Sequence, residues 1–138
     1  MTIEATGSCL CGAVMIEAKQ LSNLMGACHC SMCRQWGGGP FFALDGQQNV
    51  VIKGSENISL FASSEWAERA FCSTCGTHLF YRFKQTNQHM LSAGLFGFDS
   101  ELEFDHQIFI DDKPGYYCFA DETQNLTGAE VIAAFSGE

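Results

Sequence analysis

Seven of the eight cysteines in this 138-residue chain fall into three tight groups, and their spacing constrains the fold more than any other feature. Cys9-Leu10-Cys11-Gly12 and Cys72-Ser73-Thr74-Cys75-Gly76 each carry a pair followed by glycine, whereas Cys28-His29-Cys30-Ser31-Met32-Cys33-Arg34 carries a triplet. Residues i and i+2 of an extended segment project to the same side, so Cys9 with Cys11, and Cys28 with Cys30, can each turn two sulfurs toward one metal. In Cys72-x-x-Cys75 the chain must turn tightly instead. Gly76, like Gly12, lets the backbone fold around an ion and offer amides to the thiolates. Two pairs supply four thiolates, which close one tetrahedral zinc site; three leave a fourth position open, the arrangement on which metal chemistry depends. A closed zinc of this kind contributes about 10–16 kcal/mol in apparent terms, enough to decide whether a small domain folds.

Cysteines in such groups have other uses. Reduced cysteines are common in cores, and four thiolates also suit a rubredoxin-type iron, although such centres usually draw on two C-x-x-C pairs and one pair here is C-x-C. Cys33 would reach the triplet metal after a turn at Ser31-Met32. Cys118, among Tyr116, Tyr117 and Phe119, reads as a small buried apolar side chain more readily than as a fourth ligand. His29 should face away from the metal if its segment is extended, and His78, His89 and His106 have no partner at ligand spacing.

The net charge of −9, with only seven scattered Lys and Arg, argues against nucleic acid as a partner, because phosphate contacts need clustered cations. An anionic substrate would need local help from Arg34, Arg69, Arg82 or a backbone nest. A hydrophobic share of 46% against 17% charged describes a globular chain, read as one zinc-binding domain over residues 1–138. No apolar run approaches the roughly 20 residues that span a bilayer, so no membrane role is expected. Met1-Thr2-Ile3-Glu4-Ala5 lacks the basic and apolar stretches of a secretion signal, which implies a cytoplasmic protein. In that compartment thiols stay reduced, and clustered cysteines serve as metal ligands.

Segments rich in β-branched and aromatic residues recur at Val14-Met15-Ile16, Val50-Val51-Ile52, Ile58-Ser59-Leu60-Phe61, His78-Leu79-Phe80-Tyr81-Arg82-Phe83, Met90-Leu91-Ser92-Ala93 and Gln107-Ile108-Phe109-Ile110. Turn signals at Asp45-Gly46, Gly54-Ser55 and Lys113-Pro114-Gly115 separate them, predicting a mainly β, mostly antiparallel domain. One helix is expected at the end, where Thr127-Gly128-Ala129-Glu130 fits a capping box and Val131, Ile132 and Phe135 form a short apolar face. Gly37-Gly38-Gly39 with Pro40 predicts a loop directly after the triplet, either a tight path, a close approach of ligand, or plain surface.

These motifs, together with Gly7-Ser8 before Cys9, Ser63-Ser64, Phe71 before Cys72, and Ala93-Gly94, resemble the glutathione-dependent formaldehyde-activating enzyme family, also called the carbon–sulfur lyase or centromere-protein-V-like family. The likeness runs over about residues 7 to 110. It implies a β-tent fold, in which antiparallel sheets are joined around zinc, with two zinc ions per chain. It also implies that Cys9, Cys11, Cys72 and Cys75 hold a structural zinc, and Cys28, Cys30 and Cys33 a catalytic one. Where the family often has a Trp after a Pro near Pro114, this chain has Gly115-Tyr116-Tyr117.

The expected activity is a carbon–sulfur lyase of the S-(hydroxymethyl)glutathione synthase kind, with a small thiol such as glutathione and a small carbonyl such as formaldehyde as substrates. Three thiolate ligands blunt the Lewis acidity of zinc and favour holding a thiolate over activating water. Arg34 is the candidate anchor for a substrate carboxylate, or else a structural ion-pair residue; Ser63 and Ser64 are candidate pocket donors, or else turn formers. The competing readings are a non-catalytic zinc-binding or partner-binding module, with the triplet closed by a fourth ligand, and a thiol redox or metal-handling protein.

Overall fold

The computed structural model describes residues 1–97 and 101–136. Its strands are β1 (Thr2–Ser8), β2 (Met15–Ser22), β3 (Leu24–Cys28), β4 (Phe41–Gln47), β5 (Val50–Lys53), β6 (Ile58–Phe61), β7 (Ala67–Cys72), β8 (His78–Phe83), β9 (Gln88–Ser92), β10 (Glu103–Ile108) and β11 (Gln124–Leu126). The helices are α1 (Ser31–Gly37) and α2 (Gly128–Ser136), with short 3₁₀ turns at Ser55–Asn57, Ala93–Leu95 and Ile110–Asp112.

Three strands form one sheet in the order β1-β2-β5, and eight form the other, β11-β10-β3-β4-β9-β8-β7-β6. The mainly β architecture of two sheets expected from the sequence is therefore present. Strand alternation gives each sheet an inward set. Ala5, Ile16, Ala18 and Leu21 of the small sheet meet Leu44, Ala70, Phe80 and Leu91 of the large one in the principal core. A second cluster, Cys28, Cys33, Phe41, Ala43 and Tyr81, is packed by Trp36 of α1 and Phe83.

The pairing is not antiparallel throughout. β10 runs parallel to β3, and β11 parallel to β10. This arrangement sets the C-terminal ends of β3 and β10 side by side, pairing Cys28 with Ile108, and the His29 amide donates to the Ile108 carbonyl at 3.1 Å.

Local chemistry accounts for several departures from the sequence reading. Asp45-Gly46 is not a turn: both residues lie within β4, where the register shifts between Asp45 and Gln47, and the chain turns just beyond, at Gln48. The segment after Cys30 is a helix as far as Gly37. Gly38 ends it in the left-handed region at φ 86°, which favours glycine. A Cβ on Gly37, Gly38 or Gly39 would meet no atom of the chain within 4 Å, so a tight path against neighbouring segments does not explain them.

The capping box at α2 is formed as read. The Glu130 amide donates to Thr127 Oγ1 at 3.2 Å, and the Thr127 amide to Glu130 Oε1 at 2.8 Å. Asp111 Oδ1 accepts from the Gly128 amide at 2.8 Å and ties the helix to the 3₁₀ turn after β10. Of the expected apolar face, Val131 is buried and Ile132 exposed, while the Phe135 side chain lies outside the described residues.

Gly54 fixes the junction between β5 and the turn that follows. Its φ is +82°, and a Cβ there would overlap the Ala13 carbonyl oxygen beside the first cysteine turn. Backbone cannot swing aside as a side-chain tip can, so Gly54→Ala is expected to destabilise the metal-loaded protein by about 3 kcal/mol. Gly115→Ala, with ordinary φ and open space, should stay within about 0.5 kcal/mol. Urea unfolding of both variants checks this, and equal stabilities would refute it.

Candidate metal centres

The sulfurs of Cys9, Cys11, Cys72 and Cys75 lie within 4.8 Å of one another. Cys9 Sγ is 3.6 Å from Cys11 Sγ, which is 3.8 Å from Cys72 Sγ. A tetrahedral zinc with Zn–S near 2.3 Å has edges of about 3.8 Å, which these two separations match. The pairs sit on two matching turns, one between β1 and β2, the other between β7 and β8. Gly12 at φ 81° and Gly76 at φ 77° let each turn close. The Gly12 amide donates to the Cys9 carbonyl at 3.2 Å, and the Gly76 amide to the Cys72 carbonyl at 2.9 Å.

Donors surround these sulfurs. The Val14 amide points at Cys9 Sγ at 3.4 Å. Thr77 Oγ1 lies 3.1 Å from Cys75 Sγ and accepts the Leu10 amide at 3.1 Å, bridging the two turns. The Thr77 hydroxyl first, then its amide, holds the Cys75 thiol down at about 5.

The sulfurs of Cys28, Cys30 and Cys33 also lie within 4.8 Å of one another, and no His, Cys, Asp or Glu among the described residues joins them as a fourth. Cys28 ends β3. Cys30 is the N-cap of α1, with extended backbone at φ −63° and ψ 156°, and its sulfur accepts the Cys33 amide at 3.3 Å. The expected turn at Ser31-Met32 is thus the first turn of a helix, whose missing amide acceptor the Cys30 sulfur supplies. Without a metal the three sulfurs cannot all ionise. Hydrogen bonds from Cys28 and Cys33 hold the Cys30 thiol far down, while donation to Cys30 and burial push Cys28 far up. A cation that replaces those protons fits this donor set.

His29 is not a ligand, because both ring nitrogens are occupied. Thr123 Oγ1 donates to Asn125 Oδ1 at 2.6 Å and so accepts from Gln107 Nε2 at 2.9 Å. Gln107 Oε1 then accepts from His29 Nε2 at 2.7 Å, leaving Nδ1 to accept the Tyr117 hydroxyl at 2.7 Å. This assigns the neutral tautomer from its partners. Burial, the largest influence on the ring, likewise disfavours its charged form. The Gly115-Tyr116-Tyr117 segment is thereby fastened over the triplet loop, a role for Tyr117 and Gln107 that spacing did not reveal.

Arg34 lies next to the triplet in sequence, but its Nε donates to the His29 carbonyl at 2.9 Å and tethers α1 to the end of β3. Arg69 is the cation at the sulfurs, with Nη1 3.5 Å from Cys33 Sγ. Its position, three residues before Cys72 on a half-buried strand, was the available signal. Ser64 Oγ accepts the Ala67 amide at 3.1 Å and forms a turn, and the buried Ser63 Oγ has no partner among the described residues. Cys118 is exposed and stands outside both clusters, contrary to the buried position read for it. A cleft of about 530 Å³ runs from the cysteine turns at Leu10 and Thr77 to His78 and Ser92. His78 stacks on Trp36 with ring centroids 4.0 Å apart.

Two β-sheets joined at a four-cysteine cluster, with a second cluster of three, define a class of small proteins suited to binding metal through thiolates. Residues 4–112 match the family described as glutathione-dependent formaldehyde-activating enzyme. The chain belongs to that family. It is 38% identical over 130 residues to an uncharacterized lyase of Schizosaccharomyces pombe, covering 94% of this chain and 95% of the relative. A crystal structure of a Rhodobacter sphaeroides protein superposes with a TM-score of 0.60 at 26% identity, covering 69% of this chain and 91% of the other. No helix among the described residues is long and apolar enough to cross a membrane.

Because Cys28 and Cys33 keep their protons in the metal-free triplet, metal uptake there must release them. Zinc added to chelator-treated protein is expected to saturate at about two ions per chain and to acidify a weakly buffered solution. Cys28→Ser should release measurably less acid. Uptake without acidification, or an unchanged yield in Cys28→Ser, would contradict the proton placement.

Proposed function

We propose that this chain is a zinc-dependent carbon–sulfur lyase that reversibly adds a small thiol, such as glutathione, to formaldehyde or a related small carbonyl. The observation that carries the reading is the contrast between the clusters. Four sulfurs converge in one, and three in the other with no fourth His, Cys, Asp or Glu among the described residues. Membership of the formaldehyde-activating family and likeness to a protein named as a lyase support the same class of reaction.

In this reading Cys9, Cys11, Cys72 and Cys75 hold a structural zinc, and Cys28, Cys30 and Cys33 hold the catalytic one. A zinc bound by three thiolates supplies a site that keeps a substrate thiol ionised at neutral pH and orients it. The addition forms one S–C bond and breaks the carbonyl π bond, and the thiol proton ends on the former carbonyl oxygen. The chain's own contribution is to shape and dry the site. Trp36, Phe41, Tyr81 and Phe83 wall the triplet with apolar surface, and burial first, then the neighbouring sulfurs, keep the Tyr81 hydroxyl protonated. Arg34 acts in this scheme by positioning α1 rather than by anchoring a carboxylate.

The two clusters should respond differently to loss of one sulfur. Cys75→Ser is expected to leave the chain unfolded at 25 °C, since loss of a structural zinc removes more than a small domain's net stability. Cys30→Ser should stay folded by circular dichroism, retain about one zinc, and show no turnover above the uncatalysed reaction of glutathione with formaldehyde. Zinc-free and Cys30→Ser samples set that background. Equal unfolding of both variants, or full activity in Cys30→Ser, would sink the assignment.

A further inference from the structure

Arg69 differs from the other arginines and from Lys113, each of which is committed elsewhere. Arg34 donates to the His29 carbonyl. Arg82 is paired with Glu68 at 2.6 Å and also reaches Asn87. Lys113 donates to the Pro114 and Tyr117 carbonyls. Arg69, only 7% exposed, forms no salt bridge among the described residues, and its buried Nε has no hydrogen-bond partner.

A buried guanidinium without a carboxylate is costly, and a buried N–H without an acceptor adds to that cost. What holds Arg69 in place is aromatic. Its Cζ lies 5.1 Å from the Trp36 ring centroid and 5.4 Å from that of Tyr81, between a residue of α1 and one of β8. One corner, Nη1, is directed to Cys33 Sγ at 3.5 Å. The group is therefore oriented by packing, with the triplet sulfurs as the negative charge it faces.

We propose that Arg69 binds the anionic sulfur of the thiol substrate at the triplet. The inference rests on the reading that the triplet metal takes up a thiol. Three thiolates on a divalent ion leave one negative charge in excess, and an incoming thiolate adds a second, inside a protein whose net charge is already −9. A fixed cation in a dry aromatic setting offsets that charge far better than a solvated one would. Recognition is of the thiolate itself, so it extends to thiols that carry no carboxylate.

Cobalt-loaded protein gives a direct readout through thiolate-to-metal charge-transfer absorption, with metal content confirmed at both clusters before each titration. Wild-type protein titrated with 2-mercaptoethanol and with 3-mercaptopropionate should show saturable new absorption for both. Arg69→Gln should weaken both thiols at least tenfold, and Arg69→Lys, which keeps the charge, should weaken both by less than threefold. Arg69→Met, which keeps the stem packed between Trp36 and Tyr81, takes the place of glutamine if that variant fails to load both metals. Unchanged affinity for 2-mercaptoethanol in the neutral variants overturns the inference. A loss confined to 3-mercaptopropionate overturns it as well, because Arg69 would then be holding the carboxylate. If wild-type protein itself shows no response to either thiol, the failure lies in the thiol-binding reading of the triplet and not in Arg69.

Discussion

The convergence of two cysteine turns, drawn from Cys9 and Cys11 after β1 and from Cys72 and Cys75 after β7, is the constraint on which the remaining structure depends. One turn belongs to the three-stranded sheet and the other to the eight-stranded sheet. Joining them sets the distance between the sheets at one end, and the core of Ile16, Leu21, Leu44, Leu79 and Leu91 fills the space that follows. The Thr77 hydroxyl, shared between Cys75 Sγ and the Leu10 amide, shows how closely the turns are matched even before any ion is considered.

The cysteine groups and the strands with strong β-branched or aromatic runs were legible because their signals are local. Ile58–Phe61 and His78–Phe83 are strands with the limits read from sequence. The strands that escaped carry their information elsewhere. β3, Leu-Met-Gly-Ala-Cys, has little β-propensity of its own and is a strand because β4 and β10 flank it; a side chain at Gly26 would run into His106 of that neighbour. Gly46 sits inside β4 where a Cβ would meet Leu91 at 2.8 Å, so the glycine that signalled a turn serves close packing instead. The parallel β3–β10 pair is a product of long-range connection, which no short window contains.

The candidate site divides along the same line. Ligand spacing identified all seven convergent sulfurs, since each group is defined within a few residues. The supporting residues are distant in sequence, and only the fold assembles them. Gln107 and Tyr117 meet His29 from 78 and 88 positions away, and Arg69 meets Cys33 from 36. Proximity along the chain favoured Arg34, yet its guanidinium serves the backbone of His29.

The two clusters also differ in how their negative charge is met. Around the pairs, donors are amides and a hydroxyl, at Val14 and Thr77, neutral groups close to solvent with Cys11 exposed. The triplet packs against Phe41, Trp36 and Tyr81 with Cys28 and Cys33 buried, and the structure brings a full cation to it. A buried charge is tolerated only when another answers it. The arginine therefore marks the triplet as the place where this acidic protein accommodates negative charge beyond its own ligands, a requirement that a closed four-sulfur centre does not face.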